Sequence, residues 1–274
     1  MRLICFISDF GLVDDFVGTC KGVIQSIAPG VAVIDLTHEV PGFEIEAGAE
    51  ILRHATHYMP PDIVYLAVVD PGVGTGRRAV AVQTESGPLM VGPDNGLLVP
   101  AAASLGGISD AVELTNDAYW MEPVSSTFHG RDIFAPAAAH LASGVELARL
   151  GDRIGAEHLA SLELPGFESV SGSTYRARIL DIDRYGNARL SIREDELGLG
   201  YGATLEVDAG DGEMPVRYLA TFGAASDGEL VVVPDSHWRL SLAINKGSAA
   251  DALALRRQDT ILFQIGSSQD AEPT

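Results

Sequence analysis

The sequence predicts an α/β fold in two parts: an N-terminal three-layer α/β domain on a mainly parallel sheet, then a smaller all-β, barrel-like domain. Three observations predict it. Through the first part, short apolar runs alternate with stretches whose apolar residues recur at helical spacing. Further on, the pattern changes to short apolar runs separated by Gly, Asp and Ser turns. Between them, Leu164-Pro165-Gly166-Phe167 through Ser171-Gly172-Ser173 has linker composition, which sets domain limits of 1–165 and 172–268.

Leu3 to Ile7 is an apolar run that ends in Ser8-Asp9-Phe10-Gly11 and predicts the first strand. Phe16 to Ile27 places Phe16, Cys20, Val23, Ile24 and Ile27 on one helical face, closed by Pro29-Gly30. Val31 to Leu36 predicts a second strand, and Glu44 to Tyr58 a second helix that Pro60-Pro61 stops. Ile63 to Val69 predicts a third strand. This alternation implies parallel pairing with right-handed crossovers. Ala79 to Thr84 and Pro88 to Val91 predict a hairpin-like pair around Glu85-Ser86-Gly87. Leu97 to Ala103 reads as helical, and Asp132 to Leu150 as an Ala-rich helix that tolerates Pro136 near its start. Seven short strands follow: Tyr175 to Ile182, Ala188 to Ile192, Thr204 to Val207, Val216 to Tyr218, Glu229 to Pro234, Arg239 to Ala243 and Thr260 to Ile265.

Composition narrows the function. A net charge of -20 over 274 residues argues against nucleic acid or an anionic membrane as the main partner. No apolar run approaches the ~20 residues of a membrane span. The first residues hold one Arg, then Asp9, Asp14 and Asp15, so no signal peptide is expected. With Cys5 and Cys20 as the only cysteines, a reducing cytoplasm is the expected location.

The chain is organised around Val68-Val69-Asp70-Pro71-Gly72-Val73-Gly74-Thr75-Gly76-Arg77-Arg78. An apolar strand delivers Asp70 into a glycine-rich turn, and a second strand leaves after the arginine pair. Ligands in open α/β sheets sit beyond strand carboxyl ends, which makes Asp70 a candidate for chemistry. The alternative is a tight turn in which Asp70 caps the loop and pairs with Arg on the surface. Asp9 holds the same place after the first strand, where an acid can accept hydrogen bonds from a ribose diol. The Asp-Phe-Gly at residues 9–11 is no kinase motif, since the other kinase motifs are absent. His129, in Thr127-Phe128-His129-Gly130-Arg131-Asp132, stands before the Ala-rich helix as a capping, packing or functional residue. His54 and His57 have no acid or cysteine in ligand register, so no metal site is expected. In Asp183-Arg184-Tyr185-Gly186-Asn187, Asn187 either completes a hairpin or pairs its amide with a base edge.

These stretches together resemble one family across nearly the whole chain. It is the S-adenosyl-L-methionine hydroxide adenosyltransferases (adenosylmethionine hydrolases), relatives of the bacterial fluorinase and chlorinase. The resemblance rests on Ser8-Asp9-Phe10-Gly11 with Asp14, Asp35-Leu36-Thr37-His38, Val69 to Gly74 with Arg77-Arg78, and Gly92-Pro93-Asp94-Asn95-Gly96. It continues through Thr127 to Asp132, Asp183 with Gly186-Asn187, and Asn245-Lys246-Gly247-Ser248-Ala249. The resemblance implies a homotrimer whose sites lie between the N-domain of one subunit and the C-domain of the next. It implies a catalytic set on Asp70, Arg77 and His129, with Asp9 on the ribose hydroxyls. Asn187 then looks like the adenine reader, helped by backbone groups near Ile244 and Lys246. Asp14 and Ser236 look like contacts to the methionine end, with Asp183 nearby. Phe43 falls where the fluorinase carries an aromatic over the ligand, and Phe222 is placed to stack on the base.

The halogenating relatives carry a Tyr in place of Asp70, a Ser in place of Gly130 and an extra loop where Thr84 to Leu89 is a short turn here. A carboxylate beside the attack site repels a halide and suits water. The expected reaction is therefore hydrolysis of S-adenosyl-L-methionine to adenosine and L-methionine, with no cofactor. The alternatives are a halide-dependent 5′-halo-5′-deoxyadenosine synthase, a non-catalytic adenosine or S-adenosylmethionine binding protein, and a metal-dependent hydrolase.

Overall fold

The computed structural model describes residues 1–210 and 212–265, so the expected domain limit at residue 268 lies outside the described residues. The chain divides into two compact units, with the boundary between Leu164 and Pro165. The first contains β1 (Leu3–Ser8), α1 (Phe16–Ile27), β2 (Val33–Thr37), α2 (Ile45–Ala55), β3 (Ile63–Val68), β4 (Ala79–Thr84) and β5 (Leu89–Pro93). It continues through α3 (Val99–Ser104), β6 (Ile108–Glu113), α4 (Ala135–Ala142) and β7 (Asp152–Arg153).

The seven strands form one sheet in the order β2-β1-β3-β5-β4-β6-β7. β2, β1, β3 and β5 run parallel: α1 and α2 carry the chain back between β1, β2 and β3, and β5 takes the same direction by the hairpin reversal from β4. β4, β6 and β7 add an antiparallel flank. Along β1 and β3 alternate residues serve opposite faces. Ile4, Phe6, Val64, Leu66 and Val68 pack with α1 and α4. Cys5, Ile7, Ile63, Tyr65 and Ala67 pack with α2 and α3. Both faces are covered, so β3 is apolar and buried at every position.

One predicted helix is corrected. The Ala-rich stretch from Asp132 to Leu150 is not continuous. A π turn occupies Gly130–Phe134, α4 stops at Ala142, and Leu147–Arg149 is a separate 3-10 turn. Gly144 ends the helix by taking φ +96°, a left-handed conformation that costs glycine little. β6 escaped the sequence pattern because only Ala111 and Val112 among its residues are buried.

The second unit contains β8 (Glu168–Ser171), β9 (Thr174–Ile182), β10 (Ala188–Arg193), β11 (Thr204–Asp208), β12 (Glu213–Tyr218), β13 (Leu230–Pro234), β14 (Arg239–Ile244), α5 (Ala249–Ala252) and β15 (Thr260–Ile265). Seven strands close a barrel in the order β9-β10-β14-β13-β12-β11-β15, since β15 pairs with β9 and β9 with β10. β8 lies in the expected linker and adds to β9 outside the ring. Its residues are all exposed, so no apolar period marks it. Ile179, Leu190, Ile192, Leu242 and Phe263 fill the barrel. Among the described residues no helix is long and apolar enough to cross a membrane.

Two glycines separate a packing requirement from free space. A Cβ on Gly92 would stand 2.4 Å from the Ala67 carbonyl oxygen, whereas one on Gly22 of α1 would meet nothing within 4 Å. Gly92→Ala is expected to lower stability by about 1–3 kcal/mol, because it forces β5 away from β3. Gly22→Ala is expected to raise it by about 0.4–1 kcal/mol through the unfolded chain. Denaturant titration of both variants reads the two signs.

Candidate active site

Asp70 follows Val69, the buried residue just past the end of β3. Its position is fixed from beneath by Asn95, whose Nδ2 donates to the Val69 carbonyl at 2.8 Å. The chain then turns tightly, with Val73 N donating to Asp70 O at 3.2 Å and Thr75 Oγ1 to Gly72 O at 2.6 Å. At the apex Gly74 has φ +74°, and a Cβ there would lie 2.3 Å from the Ser126 carbonyl oxygen. The loop therefore meets the segment before His129 backbone to backbone, an approach that only glycine allows.

That contact brings three distant residues together. Arg77 Nε donates to both carboxylate oxygens of Asp70, at 2.9 and 3.0 Å. Arg77 Nη2 also donates to Asp70 Oδ2 and, at 2.9 Å, to His129 Nδ1. The guanidinium carbon lies 5.0 Å from the centre of the Phe134 ring, itself part of the π turn that follows His129. The Asp70 and Arg77 side chains are only 6 % and 10 % exposed, so the pair is not the surface ion pair of the alternative reading. Buried pairs contribute little net stability, so this one is better understood as a positioning device.

The geometry settles a tautomer. A guanidinium can only donate, so His129 Nδ1 must accept and the neutral ring carries its proton on Nε2. Burial, and secondarily the Arg77 cation, hold this imidazole below its ordinary pKa of 6.5.

Asp70 and His129 line a cavity of about 240 Å³ together with Asp9 and Phe43. Asp9 Oδ2 accepts from Phe43 N at 2.9 Å, which supports Phe43 at φ +67°, a strained value for a non-glycine residue. Phe10, Phe16 and Phe128 form an apolar wall, edge to face at 5.1–6.0 Å. Gly130 sits against that wall, where a Cβ would be 2.8 Å from Phe10 Cζ.

Beneath Asp9 lies a polar relay. Ser8 Oγ is 2.7 Å from His38 Nδ1, His38 Nε2 is 3.1 Å from Asp35 Oδ1, and Lys21 pairs with Asp35. The set has the composition of a hydrolase triad, but Ser8 is completely buried and has no access to a substrate. It ties the loops instead: Gly11 N donates to His38 O at 2.7 Å, and Val40 N to Ser8 O at 3.3 Å. Cys5 and Cys20 are equally inert, since burial pushes both thiols up to about 12. Among the described residues no group of three or more His, Cys, Asp or Glu is arranged to hold a metal ion.

The barrel unit has its own cavity of about 290 Å³, which contains Asp183, Asn187, Phe222 and Ser236. Asp183 accepts from Tyr185 N at 2.8 Å, Asn187 N at 3.0 Å and Asn187 Nδ2 at 2.8 Å. It thereby holds the loop and aims the amide, leaving Asn187 one N–H and its Oδ1 for a ligand. Gly186 makes this possible, with φ +81° and a Cβ position only 2.0 Å from Ser248 Oγ. Tyr185, read from sequence only as a turn residue, also lines the cavity and is 69 % exposed.

Four expected site residues are absent from the lining of both cavities, and Arg77, bonded to Asp70 and His129, is one of them. Asp14 is exposed before α1. The Ile244 carbonyl accepts from Gly247 N at 3.0 Å, and Lys246 pairs with Asp227 at 2.9 Å. Sequence reasoning assigned no role to Asn95, Phe134 or His38, although the motifs around Asn95 and His38 were visible. Arg78, inside the organising stretch, is structural: it pairs with Asp94, whose other oxygen accepts from Ala160 N at 2.8 Å.

Comparison with known proteins identifies the family. The model of the SAM hydroxide adenosyltransferase N-terminal domain matches residues 4–151, and that of the C-terminal domain matches residues 177–262. A Salinispora tropica protein named (R)-S-adenosyl-L-methionine hydrolase is 43 % identical over 96 % of this chain and 98 % of its own length. A Thermus thermophilus protein of the same name is 39 % identical over 93 % of this chain and 97 % of its own. A solved structure of an uncharacterised conserved protein from Thermotoga maritima superposes with a TM-score of 0.88 at 35 % identity, covering 96 % of this chain and all of that one. A protein from Nocardia brasiliensis named fluorinase is more distant, at 27 % identity. With both domain models and full-length relatives matched, the chain belongs to the SAM hydroxide adenosyltransferase family.

Proposed function

We propose that this protein hydrolyses S-adenosyl-L-methionine to adenosine and L-methionine by in-line attack of water on C5′. The observation that carries the reading is the Asp70–Arg77–His129 chain, whose two ends, Asp70 and His129, line a cavity together with Asp9.

The chemistry asks little of the protein. As the C5′–O bond forms, the C5′–S bond breaks and its electron pair returns to sulfur, so methionine leaves neutral and needs no acid. Water becomes the 5′-hydroxyl and gives up one proton. What remains is to align the water, accept that proton and exclude bulk solvent. Alignment is worth up to ~7–11 kcal/mol in the best cases, and a positioned base ~10²–10⁴-fold. His129 Nε2–H is the donor that ring has left, so Asp70 takes the role of proton acceptor. Arg77 stabilises hydroxide-like charge on the attacking oxygen. The Asp70 carboxylate disfavours a halide, and Phe10 leaves no room at position 130 for a side chain that would ligate one.

Asp9 is assigned to the ribose hydroxyls and Phe43 to the ligand's open face. Asn187, with backbone groups near Ile244 and Lys246, is assigned to adenine, and Phe222 to stacking on it. Asp14, Asp183 and Ser236 are assigned to the methionine end. Each site is completed in a homotrimer, with the α/β domain of one subunit supplying the catalytic group and the barrel domain of the next supplying adenine recognition. The reaction needs no cofactor, and the cytoplasm is its expected setting.

Product analysis tests the reading. Incubation with S-adenosylmethionine is expected to yield adenosine whether or not chloride or a chelator is present. A 5′-chloro nucleoside, or chelator-sensitive turnover, contradicts it. The two acids separate chemistry from binding. Asp70→Ala, with Asp70→Asn as the version that keeps the shape, is expected to lower kcat about 10²–10⁴-fold while adenosine still binds. Asp9→Ala is expected to weaken adenosine about 10- to 100-fold by calorimetry, the worth of charge-assisted hydrogen bonds.

The pH profile follows from His129. Protonation would place a proton on the nitrogen that Arg77 already uses, beside a buried cation, so the ring stays neutral below its ordinary value. The acid limb of kcat/KM is expected below pH 6.5, and Arg77→Met should move it upward. A wild-type limb above 6.5 removes His129 from this role.

A further inference from the structure

We propose that Arg189 is the cation that receives the α-carboxylate of the methionine end, so that the site selects an amino-acid sulfonium over one that lacks the carboxylate. The inference rests on the hydrolase reading above and names a specificity residue within it.

Three charged side chains line the barrel cavity: Asp183, Asp235 and Arg189. Both acids are already committed. Asp183 uses its two oxygens on the 183–187 loop. Asp235 Oδ1 accepts from His237 N at 2.8 Å and Arg239 N at 3.1 Å, while Oδ2 takes Arg189 Nε and, at 3.5 Å, Ser241 Oγ.

Arg189 is different. Of its five N–H groups only Nε makes a hydrogen bond among the described residues. Nη1 is 3.7 Å from Asp181 Oδ2, beyond hydrogen-bond reach, and Asp181 has its own cation in Arg257. Among the described residues, therefore, neither terminal nitrogen of the fork makes a hydrogen bond, and Nη1 keeps only the 3.7 Å ion pair with Asp181, on a side chain 15 % exposed in the wall of a cavity.

The placement fits the task. Arg189 lies on β10, two residues after Asn187, which directly precedes that strand, and both line the same cavity. Its cross-strand neighbours are Asp181 on β9 and Ser241 on β14. Asp235, which holds the guanidinium, directly precedes Ser236, already assigned to the methionine end. A guanidinium gripped through Nε presents its two terminal nitrogens as a planar fork, the geometry that matches a carboxylate. Charge balance supports the match. S-adenosylmethionine brings an ammonium and a sulfonium with its one carboxylate, which offsets the two acids of the cavity. Adenosine brings no anion, so Arg189 has no partner in that half of the ligand.

Binding calorimetry tests this in an Asp70→Asn background, which suppresses turnover. The ligands are S-adenosylmethionine, its decarboxylated analogue and adenosine, each with and without Arg189→Met. The added substitution is expected to weaken S-adenosylmethionine about 10- to 100-fold, the worth of a charge-assisted pair, and the other two by less than about threefold. Equal weakening of all three ligands, or an unchanged affinity for S-adenosylmethionine, overturns the proposal. Should loss of Arg189 strand Asp235 and unfold the barrel, Arg189→Met with Asp235→Asn removes both charges together. The Asp70→Asn protein with Arg189 intact supplies a further reading. It should bind S-adenosylmethionine at least about tenfold tighter than the decarboxylated analogue, and equal affinities overturn the proposal. Failure of the hydrolase reading appears separately, as absence of adenosine from wild-type incubations.

Discussion

A single guanidinium holds the proposed catalytic arrangement together. Arg77 donates to Asp70 through Nε and Nη2 and to His129 through Nη2, with the Phe134 ring beneath it. Because arginine never accepts a hydrogen bond, this one residue fixes which imidazole nitrogen bears the proton. Because it is always charged, it keeps a carboxylate and a neutral imidazole side by side without competing for a proton. The interaction adds little to folding stability, since burying charge costs about as much as pairing returns. Its contribution is to geometry and protonation.

The fold of the first unit positions that arginine. Parallel strands β1 and β3 lead into Asp9 and Asp70, which places both acids beyond the same edge of the sheet. The loop after β3 is anchored by Asn95 at its start and pressed through Gly74 onto the segment before His129. The π turn then widens the helix entry enough to put Phe134 under the guanidinium. The aromatic wall of Phe10, Phe16 and Phe128 keeps one side of the cavity dry, which strengthens every electrostatic contact within it.

Much of this was legible in the sequence, for identifiable reasons. The strand-helix-strand pattern of the first 69 residues is visible because β1 is apolar up to Ser8, β3 is apolar throughout, and α1 and α2 keep helical period. Asp70 and Asp9 stood out because each interrupts an apolar run at a strand end. Three things were hidden. β6 and β8 carry too few buried residues to show a period. The break after Ala142 depends on the left-handed Gly144, which composition alone does not distinguish from a tolerated helix glycine. The meeting of Arg77 with His129 spans 52 positions, and no local pattern encodes it. Motif resemblance supplied that link, and the glycine contact at Ser126 now supplies its physical cause.

The central claim is a single in-line displacement by a held water. The stereochemical course at C5′ tests it most directly. S-adenosylmethionine carrying one deuterium of known configuration at C5′ is turned over, and the configuration of the resulting adenosine is read. Inversion is the result the account predicts. Retention, which requires a covalent enzyme intermediate, or loss of configuration, which requires a free carbocation, would contradict it.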